Sequence, residues 1–271
     1  MPVGDLNAVV TKRIDVAPGL MILRVRPDGW SLSPFTPGQY VAVGLWGDAP
    51  RVAGADPETP PTPADTLLRR TYSIASSSKA GEYLELYISL VRSGALTPRL
   101  FHLQEGDRLW MHHKITGVFT LDSVPEDRDL VLLATGTGLA PYMSMLRSGL
   151  LGGGARRYAI LLGARHSWDL GYHGELCEWQ RTRRNLTYVP TVSRPAAEAT
   201  PWGGHVGRVQ TLWQERVLDA VWGAHPTPAS CHVFLCGNPG MVDAMVEVFK
   251  AEGFREHSKR APGELHLERY K

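Results

Sequence analysis

The sequence predicts two domains, an antiparallel β-barrel followed by a doubly wound α/β domain. Three observations carry that expectation. Up to about residue 122, short strand-like runs follow one another between Gly and Pro turns, with a single short helical stretch, as in small antiparallel barrels. After Pro125-Glu-Asp-Arg-Asp129, the run Leu130-Val-Leu-Leu-Ala134 is apolar without alternation, which marks a strand buried on both faces of a parallel sheet. From there strand-like and helix-like stretches alternate to the end. The expected division is residues 1–122, a linker at 123–128, and residues 129–271.

Bulk properties agree with a folded two-domain chain. The 271 residues suffice for two domains of ordinary size. With 43% hydrophobic and 21% charged residues, the chain can bury a core and does not resemble a disordered one. A formal net charge of +2 is too small to argue for nucleic acid. No apolar run reaches the roughly 18–20 residues of a membrane span, and Met1-Pro-Val-Gly-Asp5 lacks the basic-then-apolar pattern of a signal peptide. Three cysteines, Cys177, Cys231 and Cys236, form an odd, sparse set that suggests reduced thiols and a cytoplasmic location. Cys231 and Cys236 are spaced like the opening of one iron–sulfur pattern, but the next position it requires is Pro239, so no iron–sulfur cluster is expected in this chain.

In the first domain, Ala8-Val-Val-Thr-Lys-Arg-Ile-Asp15, Leu20-Met-Ile-Leu-Arg-Val-Arg26 and Gln39-Tyr-Val-Ala-Val-Gly-Leu45 read as strands, the last entered through the Pro37-Gly38 turn. Residues 48–66 hold five prolines and are expected to form an exposed, mobile loop. The strand around Arg70-Thr-Tyr-Ser73 follows. Strand alternation sends Arg70 and Tyr72 to one face. A guanidinium fork suits a phosphate and a ring offers a stacking surface, with the Ser73 hydroxyl alongside. A flavin nucleotide would use all three, though an ordinary half-buried strand could be written the same way. Tyr83-Leu-Glu-Leu-Tyr-Ile-Ser-Leu-Val91 is a clear alternating strand. In Gly94-Ala-Leu-Thr97 a turn opens a short helix, a place for an anion on free backbone N–H groups or for plain N-capping. His112 and His113 are adjacent on a strand and face opposite sides, which makes them a poor metal pair.

In the second domain, Leu130–Ala134, Tyr158-Ala-Ile-Leu-Leu-Gly163, Leu186-Thr-Tyr-Val-Pro-Thr-Val192 and Cys231-His-Val-Phe-Leu235 are strands, with helices expected near 142–150, 172–184, 208–222 and 240–252. Ligands of such sheets sit at the carboxyl ends of the strands. The glycine-rich Thr135-Gly-Thr-Gly138 turn lies at one such end and would admit a pyrophosphate, although Pro141 breaks the full dinucleotide fingerprint. Arg165 follows the second strand, Ser193 and Arg194 the third, and Arg208 a predicted helix start. Arginines without a well-placed acid point to NADP rather than NAD. Cys236 ends the fourth strand.

Five segments in order resemble the ferredoxin (flavodoxin)–NADP⁺ reductase family, bacterial type, along nearly the whole chain. They are Arg70-Thr-Tyr-Ser73, Gly94-Ala-Leu-Thr97, Thr135-Gly-Thr-Gly-Leu-Ala-Pro141 with its helix, Cys236-Gly-Asn-Pro-Gly-Met241, and the tail Glu264-Leu-His-Leu-Glu-Arg-Tyr-Lys271. The resemblance implies FAD on the barrel and NADP(H) on the α/β domain. It implies FAD contacts from Arg70, Thr71, Tyr72, Ser73, Gly94, Leu96 and Thr97, with Tyr270 on the flavin's other face as the tail returns to it. For NADP it implies Thr135, Gly136, Thr137, Gly138, Arg165, Ser193, Arg194, Arg208 and Cys236. Ser73, Cys236 and Glu268 would border the reacting rings. Two departures are the length of the 48–66 loop and Lys271, where some bacterial relatives end in tryptophan.

The implied activity is electron exchange between NADP(H) and ferredoxin or flavodoxin through FAD. Two other readings are a flavin reductase subunit of an oxygenase or multi-enzyme complex, and a non-catalytic flavin- or nucleotide-binding regulator.

Overall fold

The computed structural model of the chain describes residues 5–151 and 154–269. Two compact units emerge: Met1–Thr120 with Ala140–Ser148, and Leu121–Leu139 with Gly149–Lys271.

The first unit contains β1 (Ala8–Ala17), β2 (Leu20–Pro27), β3 (Tyr40–Trp46), β4 (Leu67–Ser73), β5 (Leu84–Ser89), α1 (Thr97–Leu100) and β6 (Arg108–Met111). The strands form one antiparallel sheet in the order β4-β3-β6-β1-β2-β5. Just past β4, an Ile74–Leu86 bridge and the Ala75 N–H to Glu85 carbonyl bond (2.8 Å) join its two ends into a barrel, which removes the exposed edges. Alternating apolar residues such as Met21, Leu23 and Val25, or Val41, Val43 and Leu45, fill its interior.

The helix α2 (Ala140–Arg147) belongs with this unit. Ser144 Oγ donates to the Ser76 carbonyl at 2.8 Å, and Arg147 Nη1 donates to the Ala75 carbonyl and to Glu85 Oε1 at 3.0 and 2.6 Å. Glu85, only 2% exposed, also receives Arg24 at 2.7 Å. Two guanidinium groups compensate one buried carboxylate, which would otherwise be costly to bury.

The expectation of a mobile 48–66 loop is corrected. Val52 N–H bonds the Pro98 carbonyl and Asp56 N–H the Arg92 carbonyl, at 2.9 and 3.0 Å. The buried Arg99 grips both oxygens of Glu58, at 2.7 and 3.0 Å. That pair holds the Glu58 carboxyl down at about 2. Proline-rich composition signals the absence of regular structure, not the absence of anchoring.

The second unit contains β7 (Asp129–Thr135), β8 (Tyr158–Ala164), α3 (His173–Thr182), β9 (Leu186–Val192), β10 (His205–Val206), α4 (Val209–Gln214), α5 (Val217–Trp222), β11 (Cys231–Gly237), α6 (Pro239–Ala251) and β12 (Leu265–Arg269). All its strand pairs are parallel, in the order β10-β9-β8-β7-β11-β12. The chain moves outward from β7 one way, then returns to the other side at β11, so the order reverses between β7 and β11. The central strands are buried along nearly their whole length, as their unbroken apolar runs predict. One face, with Val131, Leu133, Val233 and Leu235, packs on α4, α5 and α6. The expected helix at 208–222 is two, because Arg216 takes a left-handed conformation at φ 54° between α4 and α5. No Gly or Pro announces that break.

A histidine stack lies on the β11–β12 side. His266 Nε2 and His232 Nδ1 are 2.9 Å apart. The His266 ring lies between Phe234 at 4.2 Å and His257 at 4.5 Å. Burial, reinforced by the neighbouring imidazoles His257 and His232, lowers His266 to about 3 against an ordinary 6.5; burial also lowers His232. Between those values the unfolded chain takes up a proton that the folded chain refuses, so stability falls as pH drops from 6.5 towards 3. His266 alone should cost about 2 kcal/mol between pH 7.5 and pH 5. Urea midpoints at the two pH values measure this, and a His266→Gln variant should show a smaller drop. An equal drop in that variant would place the acid sensitivity elsewhere.

Candidate functional site

Each unit carries its own cluster of expected residues. In the first, β4 pairs with β3 so that Tyr72 lies opposite Val41 and Arg70 opposite Val43. Tyr72 is half-buried against the barrel core, and burial pushes its phenol up, so the ring stays neutral. Arg70 is exposed; Nη1 donates to the Arg69 carbonyl at 2.7 Å, and no carboxylate pairs with it among the described residues. Thr71 is exposed, and Ser73 is buried at the strand end. A free cation beside a half-buried ring fits a phosphate joined to a planar ring system.

The turn before α1 is tight. A Cβ at Gly94 would come within 3.1 Å of the Val91 carbonyl oxygen and 3.2 Å of Thr97 Oγ1. The Thr97 hydroxyl closes this turn on itself, accepting from Val91 N–H at 3.0 Å and donating to its carbonyl at 3.1 Å. Leu96 is buried. What the turn leaves for a ligand is backbone: the N–H groups of Ala95 and Leu96 have no protein acceptor among the described residues.

In the second unit, the reversal of strand order brings the ends of β7 and β11 together. Gly138 is where the two backbones touch, since a Cβ there would lie 2.2 Å from the Cys236 carbonyl oxygen. Gly136 is different: its φ is +53° and a Cβ would meet only open space. The Thr135-Gly-Thr-Gly turn thus has one glycine for packing and one facing outward, free for the close backbone approach that a diphosphate needs. Thr135 Oγ1 accepts from Asn238 N–H at 2.9 Å, tying the two strand ends. Asn238 caps α6 by accepting from Met241 N–H at 3.2 Å. Thr137 is half-buried within the turn.

The ends of β8 and β9 bring the three arginines near one another. Ser193 N–H bonds the Ala164 carbonyl at 3.0 Å, Arg194 N–H bonds the Arg165 carbonyl at 2.8 Å, and Gly207 N–H bonds the Val192 carbonyl at 2.9 Å. Arg165, Ser193, Arg194 and Arg208 are all exposed. Arg165 Nε lies 3.7 Å from Asp169 Oδ2, whereas Arg194 and Arg208 have no carboxylate partner among the described residues. Beside them His166 stacks on Trp168 at 4.4 Å, an aromatic surface that sequence reasoning did not pick out. Its only sequence signal was the His-Ser-Trp run straight after Arg165.

Cys236 is fully buried at the end of β11 and sits in register with Glu268 of β12. Its thiol donates to Glu268 Oε2 at 3.4 Å. The tail residues 265–269 are therefore the edge strand of the parallel sheet. Tyr270 and Lys271 lie outside the described residues. Cys231 is buried at the opposite end of β11, and burial pushes its thiol up, so it acts as packing. His112 and His113 are exposed, and no group of three or more metal-ligating side chains occurs among the described residues.

Residues 132–247 match the oxidoreductase NAD-binding domain family. The chain is 35% identical over 205 residues to ferredoxin–NADP reductase B of Sorangium cellulosum, covering 75% of this chain and 78% of that one. It is 32% identical over 209 residues to the flavodoxin/ferredoxin–NADP reductase of Escherichia coli, covering 77% and 76%. Its fold resembles that of a ferredoxin NADP⁺ reductase from Neisseria gonorrhoeae with bound FAD and NADP, at a TM-score of 0.79, 22% identity and 97% coverage of both chains. A barrel unit followed by a doubly wound α/β unit, with these relatives along most of its length, makes the chain a member of the ferredoxin (flavodoxin)–NADP reductase family.

Proposed function

We propose that this chain is an FAD-dependent oxidoreductase exchanging electrons between NADP(H), as hydride, and ferredoxin or flavodoxin, one at a time. The observation that carries the reading is the Thr135–Gly138 turn at the reversal of strand order, with Gly136 facing outward, and Arg165, Arg194 and Arg208 exposed at the neighbouring strand ends. Backbone amides and glycines suit the diphosphate, and exposed arginines, of which Arg194 and Arg208 have no carboxylate partner among the described residues, suit a 2′-phosphate. FAD, when bound, accepts electrons in pairs and releases them singly.

The barrel's residues bind and orient that group. Arg70 would hold its phosphates, Tyr72 would offer a stacking face to the flavin ring, Ser73 would add a hydroxyl beside it, and the 94–97 turn would take the diphosphate. In the α/β unit, Thr135 to Gly138 hold the coenzyme's diphosphate and Ser193 supports the arginines. Cys236 borders the nicotinamide. Its S–H bond to Glu268 Oε2 directs the thiol, and Glu268 would be a carboxylate near the reacting ring. Ferredoxin and flavodoxin are the one-electron acceptors proposed, and the cytoplasm the compartment. No helix among the described residues is long and apolar enough to cross a membrane.

Anaerobic stopped-flow tests the whole reading. NADPH should bleach the yellow protein rapidly, NADH slowly, and ferredoxin or flavodoxin should restore the colour. A protein that NADPH does not bleach would be a flavin binder only. Arg70→Ala should retain FAD about 10–100-fold less tightly, the value of one or so charge-assisted phosphate contacts. Equilibrium dialysis against FAD measures this, and undiminished occupancy in dilute protein would remove Arg70 from the site.

A further inference from the structure

The 48–66 loop is built onto the turn that precedes α1, and the bonds fall on one kind of atom. Arg51 Nη2 donates to the carbonyls of Gly94 and Arg92 at 3.1 and 3.4 Å, while its Nη1 closes the loop on the Asp56 carbonyl at 2.7 Å. Arg99 Nη1 donates to the Ala95 carbonyl at 2.6 Å, and Nη2 to the Gly47 carbonyl at 2.5 Å. Asp56 N–H takes the Arg92 carbonyl as well, at 3.0 Å. The carbonyls of residues 92 and 94 thus face the loop and its Arg51, and that of residue 95 faces Arg99 of α1. In a planar trans peptide the C=O of one residue and the N–H of the next point in opposite directions. Pinning these carbonyls turns the N–H groups of Ser93, Ala95 and Leu96 away from the two guanidinium groups, and none of the three has a protein acceptor among the described residues. Two guanidinium charges behind the carbonyls also polarise the peptides, adding positive character to the outward N–H groups.

We infer that Arg51, carried on the 48–66 loop, is a positioning residue for the FAD diphosphate: together with Arg99 it pins the carbonyls of the 92–95 turn so that its amides face the ligand. The inference rests on the FAD reading above. Arg51 does not touch the cofactor; it acts through the Gly94 and Arg92 carbonyls, both held by Nη2, and its planar fork lets Nη1 tie the Asp56 carbonyl of the loop at the same time.

The test compares a flavin with a diphosphate to one without any phosphate. Deflavo-protein is titrated with FAD and with riboflavin, following flavin fluorescence, in the wild type, Arg51→Met and Arg51→Lys, with the melting temperature of each deflavo-protein recorded. Arg51→Met should weaken FAD about tenfold, the worth of a lost charge-assisted bond, and leave riboflavin within about twofold. Arg51→Lys, with a point charge in place of the fork, should lie between. Unchanged FAD affinity in either variant would overturn the inference, and so would equal losses for FAD and riboflavin, which would mean general loosening of the barrel. Should Arg51→Met fail to fold, Arg51→Lys alone decides by the same FAD-to-riboflavin ratio. A wild type that binds riboflavin and FAD equally would instead remove the diphosphate site itself, and the FAD reading with it.

Discussion

Replacing Arg194 and Arg208 together by alanine is expected to cut kcat/KM for NADPH by roughly 10²–10⁴, while kcat/KM for NADH changes within a few-fold. The backbone bonds Arg194 N–H to Arg165 O, at 2.8 Å, and Gly207 N–H to Val192 O, at 2.9 Å, hold these side chains at neighbouring strand ends. Both are exposed and have no carboxylate partner among the described residues, so little native interaction is lost with them. A charge-assisted bond to a phosphate contributes on the order of 1.5–3 kcal/mol, and two such contacts, if additive, give the range stated. Arg165→Ala should matter less, because its guanidinium already interacts with Asp169 at 3.7 Å. Steady-state kinetics with both coenzymes measures the effect. Equal losses for NADPH and NADH would mean that the arginines shape the fold or hold the diphosphate, and would end the 2′-phosphate assignment.

Gly138→Ala is expected to destabilise the protein by about 3 kcal/mol, while Gly136→Ala costs about 1 kcal/mol. The contrast separates packing from binding in a single turn. A Cβ at Gly138 would lie 2.2 Å from the Cys236 carbonyl oxygen and 2.7 Å from the Gly237 Cα, both backbone atoms that cannot rotate aside. The clash is relieved only by parting β7 from β11, which pair from Cys231–Asp129 to Cys236–Ala134. At Gly136 the Cβ meets nothing, so only the left-handed conformation is penalised. The same Cβ projects into the space assigned to the coenzyme, however, so Gly136→Ala should raise KM for NADPH although its fold is nearly intact. Thermal unfolding of the two variants, beside their NADPH kinetics, tests this. Similar melting temperatures for both would show that β7 and β11 do not depend on the close approach.

The arginines and glycines were readable in the sequence because their chemistry attaches to position in a motif. A residue just after an apolar strand lies at a strand's carboxyl end, and Arg165, Ser193 and Arg194 needed no more than that to be placed. Cys236 and Glu268 were both singled out, but their contact depends on the parallel register of β11 and β12, which joins residues 32 positions apart. The role of the 48–66 loop could not be read in the same way. Five prolines indicate that no strand or helix forms there, and they say nothing of where Arg51 and Glu58 end up. Likewise α2 reads as a helix from its own residues, whereas its place beside the barrel rests on Ser144 meeting Ser76 and Arg147 meeting Glu85. The break at Arg216 follows from how α4 and α5 pack, with no breaker residue to signal it.

By itself the sequence determined the two-domain plan: alternating strands for the barrel, unbroken apolar strands for the parallel sheet, and the chemistry available at each strand end. These are local properties, set by the two-residue period of a strand and by which residues can turn. Only the tertiary structure decided which of those residues meet. It paired the Cys236 thiol with Glu268, aligned His232, His266 and His257, and turned Arg51 and Arg99 onto the carbonyls of residues 92, 94 and 95. Such contacts join segments distant along the chain, and they form because polar groups buried along with apolar surface need partners that the folded chain brings within reach.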